Sequence, residues 1–191
     1  MKSLVIILTF IFFAKITLAQ KELLSVDEHD KYIYYQVVDI PGITADTLNK
    51  RGKYFLEKAL PKIKLIETAL TLSGESKFMT FSGVSVLKHE DGEITYVVKV
   101  EFKDNKYRYW LKGFNFTPYQ RDRYGNFIPR QGIAIPLETA LTKLSKKDVE
   151  SYFDQTGTFC KQLGDSLKQA IIAQSPQKKA EINKRIITDK W

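Results

Sequence analysis

The residues with the most chemistry to offer lie between Thr117 and Pro136. Tyr119, Arg121, Arg123, Tyr124, Phe127 and Arg130 flank a central Gly125-Asn126 pair. Aromatic rings supply rigid apolar area and guanidinium groups supply forked donors, which together are the chemistry of contact hot spots. Tyr124-Gly125-Asn126-Phe127 reads as a hairpin tip, making the segment a flap. A connection longer than about 12–15 residues in a compact domain is usually functional or disordered. Two readings stand: a flap that binds, or a flap folded back to cover the sheet. A second group, Lys99, Trp110, Phe114 and Phe116, is expected on an exposed sheet face beside Tyr119 and Arg121.

The remaining reactive groups do not converge. Asp27-Glu28-His29-Asp30 and His89-Glu90-Asp91 both mix acids with histidine. A metal site needs ligands that meet in space, but one cluster precedes the first expected strand and the other sits at an expected hairpin turn. Both read as solvated turn residues. Cys160 falls on an apolar helical stripe, where a buried thiol behaves as a small hydrophobe. A cysteine nucleophile needs an activating base beside it, and His29 and His89 are the only histidines. Glycine-rich phosphate loops, G-x-S-x-G, zinc-type cysteines and spaced catalytic carboxylates are absent from the sequence. No catalytic residue, metal or cofactor is expected.

The elements that must position these residues are legible in the pattern. Ile33 to Ile40 is rich in β-branched and aromatic residues and ends at Pro41-Gly42, a strand and then a turn. Thr44 is placed to cap a helix, with Ile43 and Leu48 as a hydrophobic staple. Leu48, Phe55, Leu56 and Ala59 share one helical face, and Pro61 stops it. Lys64 to Leu72 and Phe78 to Leu87 are expected strands around a Ser73-Gly74 turn. Asp91-Gly92 signals a hairpin, followed by a strand from Ile94 to Phe102. Asp104-Asn105 makes the next tight turn, and Tyr107 to Phe116 returns. A two-residue turn there pairs Phe102 with Tyr107, Val100 with Tyr109 and Val98 with Leu111 on the core face. It puts Lys99 opposite Trp110, and Glu101 opposite Arg108, on the other face. The facing of Val84 and Val86 depends on the register of the preceding hairpin, because a one-residue slip turns both to the opposite face.

The last helix is the clearest element. Ser145 and Asp148 resemble a capping box with Asp in place of Glu. Val149, Tyr152, Phe153, Phe159, Cys160, Leu163, Leu167, Ala170 and Ile171 keep a three-four spacing. Gly157 and Gly164 lie one heptad apart beside this stripe, which implies close packing against the sheet. Pro176 ends the helix. The order strand, helix, four strands, long helix predicts an α+β two-layer sandwich: an antiparallel sheet with a long C-terminal helix packed on one face.

Composition bounds the rest. The chain has 191 residues, 43% hydrophobic and 27% charged, with one cysteine. It therefore forms no internal disulfide and has ordinary material for one core. Lys2, the apolar run Leu4 to Ala14, and Thr17-Leu18-Ala19 read as a cleavable secretion signal over residues 1–19. The run is shorter than the ~20 residues of a spanning helix, so no transmembrane segment is expected after cleavage. The absence of a cysteine at the cleavage point excludes a lipoprotein anchor. Residues 20–174 are then a single domain and 175–191 a basic tail. The whole chain has 30 Lys+Arg against 22 Asp+Glu; without Lys2 and Lys15 this is 28 against 22, a net charge of +6. That balance favours peripheral contact with anionic surfaces, while export argues against nucleic acid as a partner.

Two stretches resemble a known family. IYYQVVDIPGITADTLNKRGKYFLEKAL resembles the opening of the exported bacterial family called domain of unknown function 4468. EITYVVKVEFKDNKYRYWLKGFNF resembles its second signature, a strand, a KD-x-KYRY turn and a returning strand. The resemblance spans about residues 33–118. It implies a TATA-binding-protein-like fold and export, and it implies no activity. It does not import DNA binding either, because function lives in sites rather than in folds. In a bacterial chain the Asn115-Phe116-Thr117 glycosylation match is accidental. The leading expectation is a non-enzymatic binding module of the cell envelope, periplasmic or extracellular, holding an envelope component or another protein. The alternatives are a carrier with an apolar pocket between helix and sheet and, last, an envelope-polymer hydrolase.

Overall fold

The computed structural model describes residues 23–60, 62–83 and 89–173. The expected signal peptide and basic tail lie outside the described residues, as do Pro61, Val84, Val86 and Pro176. The elements run β1 (Ser25–Val26), β2 (Tyr32–Asp39), α1 (Ala45–Ala59), β3 (Ile66–Thr68), β4 (Thr71–Ser82), β5 (His89–Lys103), β6 (Lys106–Arg121), β7 (Phe127–Pro129), β8 (Ile135–Pro136), a 3-10 helix (Leu137–Thr142) and α2 (Lys146–Ala173). The strands form one antiparallel sheet in the order β1-β2-β6-β5-β4-β3, with β7 and β8 added to the far part of β6. Both helices pack on the same face, which gives the expected α+β two-layer sandwich.

The β5–β6 hairpin organises this sheet. Asp104 and Asn105 form its two-residue turn, with Asn105 in the left-handed region at φ 66°, where Asn is tolerated. The pairs Phe102–Tyr107, Val100–Tyr109, Val98–Leu111, Lys99–Trp110 and Glu101–Arg108 all form as the turn length requires. The turn also positions α1. The Asp104 carboxylate accepts from the Ala45 backbone N–H at 2.8 Å, and the Asn105 side chain accepts from Gly42 N–H at 2.7 Å. An acid at a helix N-terminus meets the unpaired donors and the positive end of its dipole. The Thr44 hydroxyl accepts from Thr47 N–H, as its capping role predicts.

Two glycine-containing segments expected as turns do not reverse the chain. Ser73-Gly74 lies inside β4, and the turn before it is at Ala69-Leu70, with Ala69 at φ 49°. Asp91-Gly92 lies inside β5, where Asp91 is the extra residue of a bulge between the Thr80–Gly92 and Phe81–Glu90 pairs. In both cases glycine serves close approach instead of reversal. A Cβ on Gly74 would stand 2.8 Å from the Ile63 side chain, and one on Gly92 would stand 2.5 Å from the Phe116 ring.

A third glycine changes the face of β6. Thr95 pairs with Asn115 but Val97 pairs with Lys112, so one β5 residue opposes two on β6. Gly113 takes φ +69° there, a bulge with glycine in the left-handed position. Before it, Tyr107, Tyr109 and Leu111 face the helices; after it, Phe114 and Phe116 do. Phe114 and Phe116 were expected on the exposed face, and this corrects that expectation: they are 0% and 1% exposed. Uninterrupted alternation from Trp110 would have left them outside.

The core lies between this face and the helices. Phe116 stacks on Tyr152 of α2 at 4.2 Å, and Tyr96 meets Phe159 at 5.3 Å. The Ser145 hydroxyl accepts from Asp148 N–H at 3.2 Å and donates to its carboxylate at 2.6 Å, so the expected cap forms. Arg51 of α1 is buried and donates to the Ile171 carbonyl in the last turn of α2 at 2.8 Å. The bond joins the two helices side chain to backbone. Gly164 lets α2 settle on β6: a Cβ there would be 1.5 Å from the Tyr109 hydroxyl oxygen.

Gly164→Ala should therefore lower stability by about 1–3 kcal/mol through overpacking, despite alanine's better helix propensity. The denaturant midpoint should fall at unchanged slope. Adding Tyr109→Phe should recover part of the loss, and Ser166→Ala on the exposed side of the same helix should change little.

Candidate functional site

Strand alternation leaves one face of the sheet free of helices among the described residues. Tyr35 and Val37 of β2, Arg108 and Trp110 of β6, and Lys99 and Glu101 of β5 point there. Trp110 is the centre of the cluster. The Lys99 ammonium lies 5.1 Å from its ring centroid, the Arg108 guanidinium 5.4 Å, and the Tyr35 ring 6.3 Å. Each cation over a ring at such a site is worth about 0.5–1 kcal/mol. Glu101 ties the two cations together, accepting from Arg108 at 2.6 Å and from Lys99 at 3.1 Å. Burial works to raise the Glu101 pKa, but hydrogen bonds from Arg108 and Lys99 outweigh it and hold the carboxyl below its ordinary value. The side chains are thus held in place on an open surface, with Tyr35 48% and Val37 53% exposed.

Beside this cluster, toward the β5–β6 turn, lies a cleft of about 570 Å³. Tyr35 and Val37 form one wall, Leu70 and Thr71 of the β3–β4 turn the other, and Lys103, Lys106 and Arg108 the cationic floor. Tyr35, Val37, Lys103 and Lys106 were not singled out in the sequence. The signal was available: the register that places Lys99 opposite Trp110 also places Lys103 opposite Lys106, and Tyr35 opposite Trp110 follows once β2 joins β6.

The expected flap forms as a hairpin of β6 and β7, while Ile133 and Ile135 farther along the same connection pack on the core. β6 continues to Arg121 and pairs with β7. The Asp122 carboxylate closes the turn by accepting from the Tyr124 and Asn126 backbone N–H groups at 2.8 and 2.9 Å. Tyr124 is 75% exposed, with Arg123 over its ring at 4.9 Å; Arg121 lies over Phe127 at 4.9 Å. Arg130 is exposed and its N–H bonds the Pro118 carbonyl. Tyr119 points elsewhere, donating to Glu93 at 3.0 Å. Burial and that carboxylate push its hydroxyl up to about 12. Glu93, 7% exposed, also binds Lys77 at 2.7 Å. Arg121 and Arg123 thus each lie over a ring of the flap itself.

One of the two acid–histidine clusters does draw together, against the sequence expectation that neither converges. Asp27, Glu28 and His29 bring their ligand atoms within 4.8 Å of one another. However, the Asp27 carboxylate already accepts from the His29 and Lys31 backbone N–H groups, at 2.9 Å each. Asp91 accepts from the Tyr152 hydroxyl, while His89 bonds Ser82 at 3.1 Å. Cys160 is buried, and burial pushes its thiol up, away from a reactive thiolate. Between helices and sheet the space is filled by rings such as Tyr96, Tyr107, Tyr109, Phe114 and Phe116, each 0–1% exposed. A 560 Å³ cleft opens at the β4 margin, beside Leu60, Ile63 and Phe159. No helix among the described residues is long and apolar enough to cross a membrane.

Comparison with known proteins agrees with this architecture. The model of the family described as a domain of unknown function (DUF4468) with TBP-like fold matches residues 34–117. A solved DUF4468 family protein from Bacteroides ovatus is similar, with 13% identity and a TM-score of 0.58 over 78% of this chain and 91% of that one. A TBP-like protein from Parabacteroides distasonis aligns with 15% identity and a TM-score of 0.60, over 79% of this chain and 98% of that one. No curated protein sequence matches.

The Glu101 link has a pH signature. Its folded pKa lies below its ordinary 4.5, so its contribution is present above that value and is lost as pH falls through the folded pKa. Glu101→Gln should cost under about 1 kcal/mol at neutral pH, because Arg108 is half-exposed. It should also flatten the fall in denaturant midpoint between roughly pH 5 and 3. An equal slope in both proteins would mean that Glu101 is not held by these cations.

Proposed function

We propose, from the premise that residues 34–117 carry the TBP-like fold of the family just matched, that this chain is a non-enzymatic binding module exported to the bacterial envelope. It works through the helix-free face of its sheet. One observation carries the reading: Trp110 stands on that face fixed between Lys99, Arg108 and Tyr35 instead of under a helix. Fixing an aromatic and two cations at a surface yields contact area and forked donors at low entropic cost, as binding hot spots require. The flap, with Tyr124 and Arg123 exposed at its tip, extends the same sheet and is a secondary contact. Export rests on the apolar N-terminal run and its small-residue cleavage pattern.

A carrier with an apolar pocket between helix and sheet is less well supported, because large rings fill that layer. A hydrolase is supported least, because Asp27, Asp91 and Glu93 already bond backbone, tyrosine or lysine partners.

Tyr35→Ala with Trp110→Ala should leave the melting temperature within a few degrees of wild type, since both residues lie outside the core. The same protein should lose capture of its partner from envelope extract. Alanine at Tyr124, Phe127 and Arg130 should weaken capture less. If capture survives the first pair and disappears with the flap triple, the flap is the site and the sheet face is not.

A further inference from the structure

We propose that the 570 Å³ cleft at the hairpin end of the open face binds a small amphipathic anion, one apolar chain or ring bearing a carboxylate or phosphate. The assignment rests on reading the open face as a binding surface and names its ligand class. Lys103 and Lys106 face each other directly across the hairpin and both line the cleft. Like charges placed opposite on a sheet destabilise it, and among the described residues neither lysine has an ion-pair partner. The nearby acids are engaged elsewhere or stand off. Glu101 holds Arg108 and Lys99, and Asp104 caps α1. Asp39 is the cross-strand neighbour of Lys106 on β2 but forms no ion pair with it. Of the charged residues lining the cleft, three cations, Lys103, Lys106 and Arg108, stand against Glu101, an excess of two positive charges.

The walls make the second demand. Tyr35, Val37 and Leu70 are 48%, 53% and 38% exposed and turn apolar surface toward the same space. An inorganic anion would relieve the lysines and leave those walls wet. A neutral apolar molecule would cover the walls and leave the repulsion in place. An amphipathic anion answers both, and the volume falls in the range of about 300–1,000 Å³ typical of small-molecule sites. Walls on two sides fit a single free molecule better than the flat surface of a bilayer.

Calorimetry on the full chain tests this with decanoate as probe. Inorganic phosphate, decyltrimethylammonium and phosphatidylglycerol vesicles serve as contrasts. Decanoate should bind once per chain, and phosphate and the ammonium at least tenfold more weakly. Lys103→Glu replaces a like-charge pair with an opposite one, so it should raise the melting temperature while weakening decanoate at least tenfold. Leu70→Ser should weaken decanoate and leave any phosphate binding unchanged. Equal affinity for decanoate in wild type and Lys103→Glu overturns the assignment. So does phosphate binding as tightly as decanoate, or binding to vesicles without binding to free decanoate. Capture of an envelope partner that depends on Trp110, with no decanoate binding, removes this assignment alone. Decanoate binding lost in Lys103→Glu, with capture indifferent to Tyr35 and Trp110, supports the cleft and removes the wider reading of the face.

Discussion

Strand β6 runs for 16 residues through the middle of the sheet and changes face once, at Gly113. A side chain on a strand points to alternate sides, so a single extra residue reverses everything after it. Before the bulge, Tyr107, Tyr109 and Leu111 go under the helices and Arg108 and Trp110 go out. After it, Phe114 and Phe116 go under and Thr117 and Tyr119 take the other side. Without that switch, two phenylalanines would stand on the helix-free face and the end of α2 near Tyr152 would lack Phe116 to stack on. The bulge therefore fills the core and clears the open face in one step.

The helices depend on the same hairpin from its other end. The Asp104-Asn105 turn reverses the chain and supplies acceptors to the entry of α1. α1 in turn offers Arg51 to the last turn of α2. Where backbones and side chains come closest, glycine gives the room: Gly52 meets the Phe102 ring, and Gly164 meets Tyr109. With one layer so filled, side chains on the other face can be altered without disturbing the core. That separation explains why a sheet with uncovered aromatic and charged residues can still be a stable domain.

The elements with local causes were legible. The amphipathic spacing of Val149 to Ile171, the Thr44 and Ser145 caps and the two-residue Asp-Asn turn are each decided within a few residues. The β5–β6 register up to Leu111 followed from that turn alone. The readings that failed involved glycine. Gly74, Gly92 and Gly113 all punctuate the sequence in the same way. Yet the first two make room for Ile63 and Phe116, and the third bends a strand, while the reversal near Gly74 falls at Ala69-Leu70, which no glycine marks.

By itself, then, the sequence determined the two-layer α+β plan, the helix starts, the central hairpin and the aromatic and basic character of the chemistry on offer. Those features rest on propensity, periodicity and turn length, which act over short stretches of chain. Only the tertiary structure decided that Phe114 and Phe116 are core, that Tyr35 joins Trp110, and that Lys103 and Lys106 share a cleft with the β3–β4 turn. Each of those depends on a bulge or on a pairing between distant strands, and whether a glycine is a turn, a bulge or a space for a neighbour is settled by what packs against it.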